Sequence, residues 1–386
     1  MRLFFSFRAV RTVCWISLAF VSASLCHGQI KRPAPVAAIC HDGPYVWSRG
    51  DSAQTLTVVP SEAEAKIVRE SLSWKSLHEH PLEVVVGDPT PARFQVQLRP
   101  THSVPNSIWP KPARLLVTSD LEGNFDVLIR MLRSQKVIDE NLKWTYGDGH
   151  LVVLGDTVDR GDYATQCLWL IYQLESEAAA AGGAVHTILG NHEAMNLAGD
   201  DRYLAPKYHW LLQETGLKIE QLFSADSEFG RWLRSKNSIE KIGDQLFVHA
   251  GISPQVLARG YSIDEINRLL RESLGFRNLQ GDALFLMTSP GPFWYRGMVV
   301  AVEGEPKATA AHVQRVLEHF DVKQVVVGHT VVDSISTDFA GQVVRVDLKH
   351  PKTRKDGVAR ALLVEQDQVF VVGDDGTREP IRPVDR

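Results

Sequence analysis

The chain is poor in cysteine. Four cysteines in 386 residues, without the paired spacing of a zinc ribbon, exclude a disulfide-dense scaffold and a Cys-rich metal site. It also lacks a basic block. Lys and Arg total 42 against 46 Asp and Glu, a formal net charge of −4, which excludes a dedicated nucleic-acid binder, so no nucleic-acid partner is expected. No internal repeat or low-complexity tract occurs. Hydrophobic residues at 44% and charged residues at 23% are ordinary globular usage and exclude wholesale disorder. At about 100–200 residues per domain, the length allows two or three domains.

The apolar stretch at residues 12–25 is too short to span a bilayer comfortably. It follows Arg2, Arg8 and Arg11, and Ser22, Ala23, Ser24 and then Gly28 offer cleavage sites, so residues 1–28 read as an export signal cleaved after Gly28, with an uncleaved anchor as the competing reading. No Arg-Arg pair supports a twin-arginine route, and Leu25 disfavours a lipid on Cys26. Cleavage removes three arginines and no acidic residue, moving the net charge from −4 to −7. The expectation is an exported protein, periplasmic or secreted, with no stable membrane insertion after cleavage. Cys40 and Cys167 then remain, and an oxidising compartment would permit but not require their pairing.

Residues 29–112 read as a β-rich N-terminal module followed by a linker. TLTVV, LEVVVG and RFQVQL favour strands, and Pro100, Pro105, Pro110 and Pro112 mark the linker. From residue 113 strands alternate with helices, the pattern of an α/β domain. Strands are expected at 114–118, 151–154, 186–189, 245–248 and 324–327, with helices at 125–133 and 164–181. A polar, helix-rich insertion is expected at about 200–240, with Trp210 and Trp232 serving the core. Beyond Ser334, SISTDF, VVRVDL, ARALLV and QVFVV read as consecutive strands closing a second sheet. The catalytic domain is thus expected over 113–375, with 376–386 as a tail.

Five of these strands end in chemistry. RLLVTSD places Asp120 and Glu122 just past a strand, LVVLGD does so with Asp156, HTILGNH with Asn191 and His192, QLFVHAG with His249, and QVVVGHT with His329. In α/β sheets ligands bind beyond the carboxyl ends of strands, so five such ends can converge. The residue types suit two divalent ions, because a carboxylate such as Asp156 can bridge cations while imidazoles and an amide oxygen complete one of them. Arg160 follows, and its planar fork suits a phosphate. Taken singly, a strand-end aspartate is more often a helix cap, an isolated His249 or His329 a hydrogen-bonded core histidine, and Arg160 a surface ion pair. Five coincidences together favour a site.

With these motifs the chain resembles the calcineurin-like metallophosphoesterases, in their phosphoprotein-phosphatase branch and its bacterial Shewanella-like relatives. GDTVDRG at 155–161 and GNHE at 190–193 carry the resemblance, HAG at 249–251 and GHT at 328–330 follow in order, and GPFWYRG at 291–297 is similar to the Trp-x-Arg segment of the Shewanella-like group. The resemblance covers about 113–350. It implies a four-layer α/β/β/α sandwich and a metal-dependent phosphoric monoester hydrolase acting on phosphorylated proteins or small molecules. It implies a first metal on Asp120, Glu122 and Asp156 and a second on Asp156, Asn191, His249 and His329. His192 is implied as general acid, oriented by Asp159, with Arg160 and Arg296 on the phosphoryl group and a hydroxide activated by both metals as nucleophile.

The first motif departs from the family's Gly-Asp-x-His-Gly, reading Ser119-Asp120-Leu121-Glu122-Gly123. An oxygen-only first site should prefer Mn²⁺ or Mg²⁺ over Zn²⁺ and bind more weakly than the second; Mn is the expected metal, with Fe, Zn or Mg as alternatives. Glu122 as a mere turn residue would leave a degenerate first site, and with it a binding module instead of an enzyme. A phosphodiester or dinucleoside-polyphosphate hydrolase on the same fold is a further alternative. Trp294 and Tyr295 read equally as an aromatic platform or as core. His41 and Asp42, His78 and His80, and Asp200 and Asp201 read as turn, exposed loop and solvated loop.

Overall fold

The computed structural model describes residues 41–61, 65–88 and 90–384. The expected export signal and Cys40 lie outside the described residues, and Cys167 is a fully buried thiol.

Two mixed sheets face one another. In the first, Arg114–Thr118, His150–Leu154 and Ala184–Ile188 run parallel, and Arg360–Glu365, Gln368–Gly373 and Arg378–Pro380 extend it antiparallel. The second has the order Arg382–Pro383, Ser336–Asp338, Val343–Arg345, Gln324–Val327, Gln245–Val248, Ile239–Ile242, Ile108–Trp109. The period-2 geometry of a strand explains the layering. Leu115, Val117, Val152 and Leu154 of the first sheet meet Phe247, Val326 and Val344 of the second in an apolar inner core. Leu116, Leu151 and Val153 point the other way, into the core formed with the helices Phe125–Ser134 and Ala164–Ala180. Burial on both faces is why these strands read as unbroken apolar runs. The helices Ile263–Ser273 and Ala310–Phe320 cover the second sheet, completing the α/β/β/α sandwich.

Three segments differ from expectation. Ile108–Trp109, inside the Pro-rich linker, pairs parallel with Ile239–Ile242. The strands after Ser334 do not close one sheet: Ser336–Asp338 and Val343–Arg345 join the second sheet, whereas Arg360–Glu365 and Gln368–Gly373 join the first. Within the expected tail, Arg378–Pro380 pairs with Gln368–Gly373 and Arg382–Pro383 with Ser336–Asp338.

The N-terminal strands Asp42–Arg49, Ser52–Val59 and Lys66–Ser73 form a three-stranded antiparallel sheet, and Leu82–Val86 pairs with Ala92–Val96. This module packs directly on the helix Ala164–Ala180. Trp169 Nε1 donates to Pro44 O at 3.0 Å, and Ser48 N donates to Asp226 O at 2.7 Å. Buried Asp42 accepts from Tyr45 OH (2.6 Å) and from Lys207 Nζ (2.9 Å) of the 200–240 segment. That segment forms the helices Pro206–Thr215, Ile219–Leu222 and Glu228–Arg234; Trp232 is fully buried and Trp210 packs at the core margin.

Candidate metal and phosphoryl-transfer centre

The carboxyl ends of the parallel strands meet at one edge of the sandwich. The loops after Arg114–Thr118 and His150–Leu154 bind each other: Asp120 N donates to Gly155 O (3.0 Å), Glu122 N to Asp156 O (2.9 Å) and Gly123 N to Thr157 O (2.8 Å). Asp120, Glu122, Asp156, Asp159, Arg160 and His329 all have φ between +48° and +69°. Non-glycine residues seldom adopt this region, and it persists where surrounding contacts over-determine the backbone, as at functional sites. Gly190 is required by space: a Cβ there would meet Asp156 Oδ1 at 2.2 Å.

Asp156 lies at the middle of the cluster. Its Oδ2 is 3.2 Å from His249 Nε2 and 3.8 Å from His192 Nε2, and its Oδ1 accepts from His192 N at 2.9 Å. Ligand atoms of Asp156, His249 and His329 lie within 4.8 Å of one another. His249 Nδ1 donates to Leu154 O at 2.8 Å, which aims Nε2 at Asn191 Oδ1 (3.0 Å) as well as at Asp156. A neutral imidazole there faces two oxygen acceptors, an arrangement that calls for a proton or a cation. His329 Nε2 is buried without a hydrogen-bond partner. Two imidazole nitrogens, an amide oxygen and a carboxylate fit a divalent transition ion. Asp120 adjoins this group, accepting from Ser119 Oγ and from His329 N (3.1 Å).

The electrostatics agree. Burial opposes the charge on His249, but Asp156 and Asp120 overcome it and raise its pKa to about 10. Burial, together with the charges of His249 and Arg296, lowers His329 to about 2. Burial raises Asp120 to about 6. Asp156, despite the same burial, is held below the usual carboxylate range by His249 and His192. Such clusters of strongly displaced groups mark functional sites.

Next to the metal-type ligands is an acid–base pair. His192 Nδ1 donates to Asp159 Oδ2 at 2.6 Å, and the other oxygen of Asp159 accepts from Asn196 Nδ2 at 3.0 Å. Burial works against the imidazolium, yet the bond to Asp159 and the charge of Asp156 raise the His192 pKa. Arg160 is half-exposed, packs over Tyr203 and pairs with Glu122. Arg296 Nη1 donates to His329 O (2.9 Å) and Thr330 Oγ1 (3.3 Å), next to the metal-type cluster.

The structure therefore brings together Asp120, Asp156, Asn191, His192, His249 and His329, with Asp159, Arg160 and Arg296 around them. Glu122 is the exception: its carboxylate pairs with Arg160 and stands outside the Asp156–His249–His329 group. Tyr295 is core, whereas Trp294 is part-buried with its ring 6.0 Å from that of His329. His78 and His80 are exposed, and Asp200 is tied to Arg202.

Sequence reasoning missed two groups. Glu193 is buried and accepts from the backbone N–H of Asp156 (3.0 Å), Thr157 (2.7 Å) and Gly190 (2.8 Å), clamping two ligand loops together. Asp347, 3% exposed, lies just past the strand Val343–Arg345, where Val346 N donates to Val327 O (2.9 Å), two residues before His329. Burial and the charges of Asp120 and Asp156 raise its pKa to about 8. Its signal was present in VVRVD, a sixth apolar strand ending in a ligand-type residue.

The fold and site define a two-sheet metallophosphoesterase architecture with a histidine–carboxylate ligand cluster. Residues 113–333 match the family model described as calcineurin-like phosphoesterase, and the chain belongs to that family. It is similar to the crystal structure of a cold-active protein-tyrosine phosphatase of a psychrophilic Shewanella species, at 32% identity and a TM-score of 0.76 over 88% of this chain and 99% of that one. It is 26% identical over 304 residues to the Shewanella-like protein phosphatase 2 of Arabidopsis thaliana, covering 67% of this chain and 76% of that protein. A symmetrical bis(5'-nucleosyl)-tetraphosphatase of Mannheimia succiniciproducens is 30% identical over 139 residues, 35% of this chain and 43% of that protein. The chain is a metal-dependent phosphatase acting on phosphorylated substrates, and no helix among the described residues is long and apolar enough to cross a membrane.

Proposed function

We propose that this phosphatase acts on phosphoproteins, phosphotyrosine included, outside the cytoplasm. The observation that carries the chemical reading is the His192–Asp159 pair set 3.8 Å from the Asp156 carboxylate that adjoins both histidine ligands. The protein substrate is supported by the relatives named as protein-tyrosine and Shewanella-like protein phosphatases, which match most of the chain. The tetraphosphatase likeness spans about a third of it and is the weaker support. Export rests on the residues 1–28 pattern alone.

Asp156, Asn191, His249 and His329 would hold one divalent ion, and Asp120, Asp156 and Glu122 another, for which Mn²⁺ is proposed at the oxygen-rich position. When bound, such ions supply Lewis-acid polarisation of the phosphoryl group and of water. The chain's own residues do the rest. Arg160 and Arg296 bind the phosphoryl oxygens and neutralise charge as it develops. His192 holds a proton at Nε2 and delivers it to the leaving oxygen, and Asp159 fixes the tautomer and stabilises the protonated ring. Glu193 keeps the loops bearing Asp156 and Asn191 in register.

The test compares the Mn²⁺-supplied chain on phosphotyrosine and phosphoserine peptides, an aryl phosphate, a bis-aryl phosphate and a dinucleoside tetraphosphate. Preferential turnover of a phosphopeptide and the aryl monoester supports the proposal. Preference for the diester or the tetraphosphate overturns it.

A further inference from the structure

A cavity of about 380 Å³ opens beside the centre and shares Asp120, Glu122 and Arg160 with it. We propose that this cavity is a subsite for acidic residues flanking the phosphorylated residue of a protein substrate. The inference rests on the phosphoprotein reading above and extends it to sequence preference.

The segment carrying Lys349 and Lys352 lines the cavity, together with Val86 and Thr90 of the N-terminal module. That segment is held to the catalytic edge at two successive residues. His350 Nε2 donates to Ser119 O at 3.0 Å, and Asn124 Nδ2 donates to Pro351 O at 2.9 Å. Ser119 precedes Asp120, so the two lysines flanking the anchored pair have a fixed position relative to the phosphate site. Both are exposed, and among the described residues neither has a carboxylate within ion-pair distance; the same holds for Arg354 and Lys355, which follow.

The carboxylates of the cavity are mostly committed. Glu122 pairs with Arg160, while Asp126 pairs with Arg130 and accepts from Thr90 Oγ1 at 2.7 Å. Asp162 also lines the cavity and is exposed. The uncommitted charges of the lining are therefore two lysines against one aspartate, a positive balance. Tyr163, part-buried, adds aromatic surface, so the cavity offers both contact area for a chain and cations for its side chains. A volume within the range of ordinary ligand sites accommodates a few residues beyond the phosphorylated one. Exposed ion pairs are individually weak and salt-sensitive, so the selectivity should be moderate and should fade as ionic strength rises.

The experiment measures kcat/KM of the Mn²⁺-supplied full chain on a phosphotyrosine peptide with acidic flanks and on its alanine-flanked counterpart. Each value is divided by that of an aryl phosphate for the same variant. The expected result is a preference of about tenfold for acidic flanks, equivalent to about 1.4 kcal/mol. It should disappear in the K349A/K352A double variant and invert toward basic flanks in K349E/K352E. Equal use of both peptides by the unaltered chain, or a preference unchanged in both double variants, overturns the subsite. Failure on aryl phosphate as well as on every peptide would instead overturn the phosphatase reading on which the subsite depends.

Discussion

His192 and Asp159 share a 2.6 Å hydrogen bond in a region where neither side chain is more than 3% exposed. Asn196 holds the second oxygen of Asp159, so the carboxylate cannot rotate away without losing two partners. The bond and the neighbouring Asp156 raise the His192 pKa against the effect of burial, which keeps the ring protonated to higher pH than a free histidine. Asp159→Asn should lower kcat by about 10²–10⁴ with little change in KM, the usual weight of a general acid. The alkaline limb of the pH–kcat profile should move to lower pH. A profile that keeps its limb while kcat falls would assign Asp159 a purely structural role.

The displaced pKa values predict how the metal-free protein responds to pH. His249 is held at about 10 against 6.5 when unfolded, so its contribution to stability is fully present below pH 6.5 and is lost as pH rises toward 10. Asp347, held at about 8 against 3.8, acts in the same sense up to about pH 8, whereas Asp120, held at about 6, acts only below that pH. The Tm of the metal-free chain should therefore fall between pH 6.5 and 9. Mn²⁺ should reverse the fall, since cation binding displaces the His249 proton and tightens with pH. Calorimetry with and without Mn²⁺ across this range measures both, together with the protons released.

Glu122 would decide the character of the proposed first metal position. It pairs with Arg160, and as a ligand it would give that position oxygen donors only. Glu122→His should tighten binding there about tenfold or more and shift selectivity toward Zn²⁺. An unchanged metal titration would mean that Glu122 serves Arg160 alone.

Asp347 adds a buried carboxyl that burial and the charges of Asp120 and Asp156 hold protonated up to about pH 8 in the metal-free chain. Asp347→Asn should weaken Mn²⁺ binding by about threefold to tenfold at pH 8, a change readable by titration calorimetry without substrate. It should also raise the stability of the metal-free chain at alkaline pH, because the cost of ionising that carboxyl disappears. Unaltered binding and stability would remove Asp347 from the centre.

The strands bearing the centre were legible because burial on both faces makes them short apolar runs, each ending in a ligand-type residue. Arg114–Thr118, Gln245–Val248 and Gln324–Val327 occupy the expected positions, and Ala184–Ile188 starts two residues earlier. Sheet membership after Ser334 was not legible, because Val343–Arg345 and Arg360–Glu365 are alike in pattern and differ only in the distant strand they meet. Ile108–Trp109 was hidden by its proline-rich surroundings and by its position at an edge, where proline is tolerated. Residues of ligand type stand out in the sequence at strand ends; Glu193 does not, because its work is hydrogen bonding to backbone amides and leaves no compositional trace.

The central claim is a metal-dependent phosphatase with His192 as its acid. The most direct test is aryl-phosphate hydrolysis by the chain stripped with chelator, then supplied with Mn²⁺, beside the His192→Ala variant. The account predicts loss of activity on stripping, recovery with Mn²⁺, and a rate at least about a hundredfold lower in the variant. Activity that survives stripping, or a His192→Ala variant as fast as the unaltered chain, would contradict it.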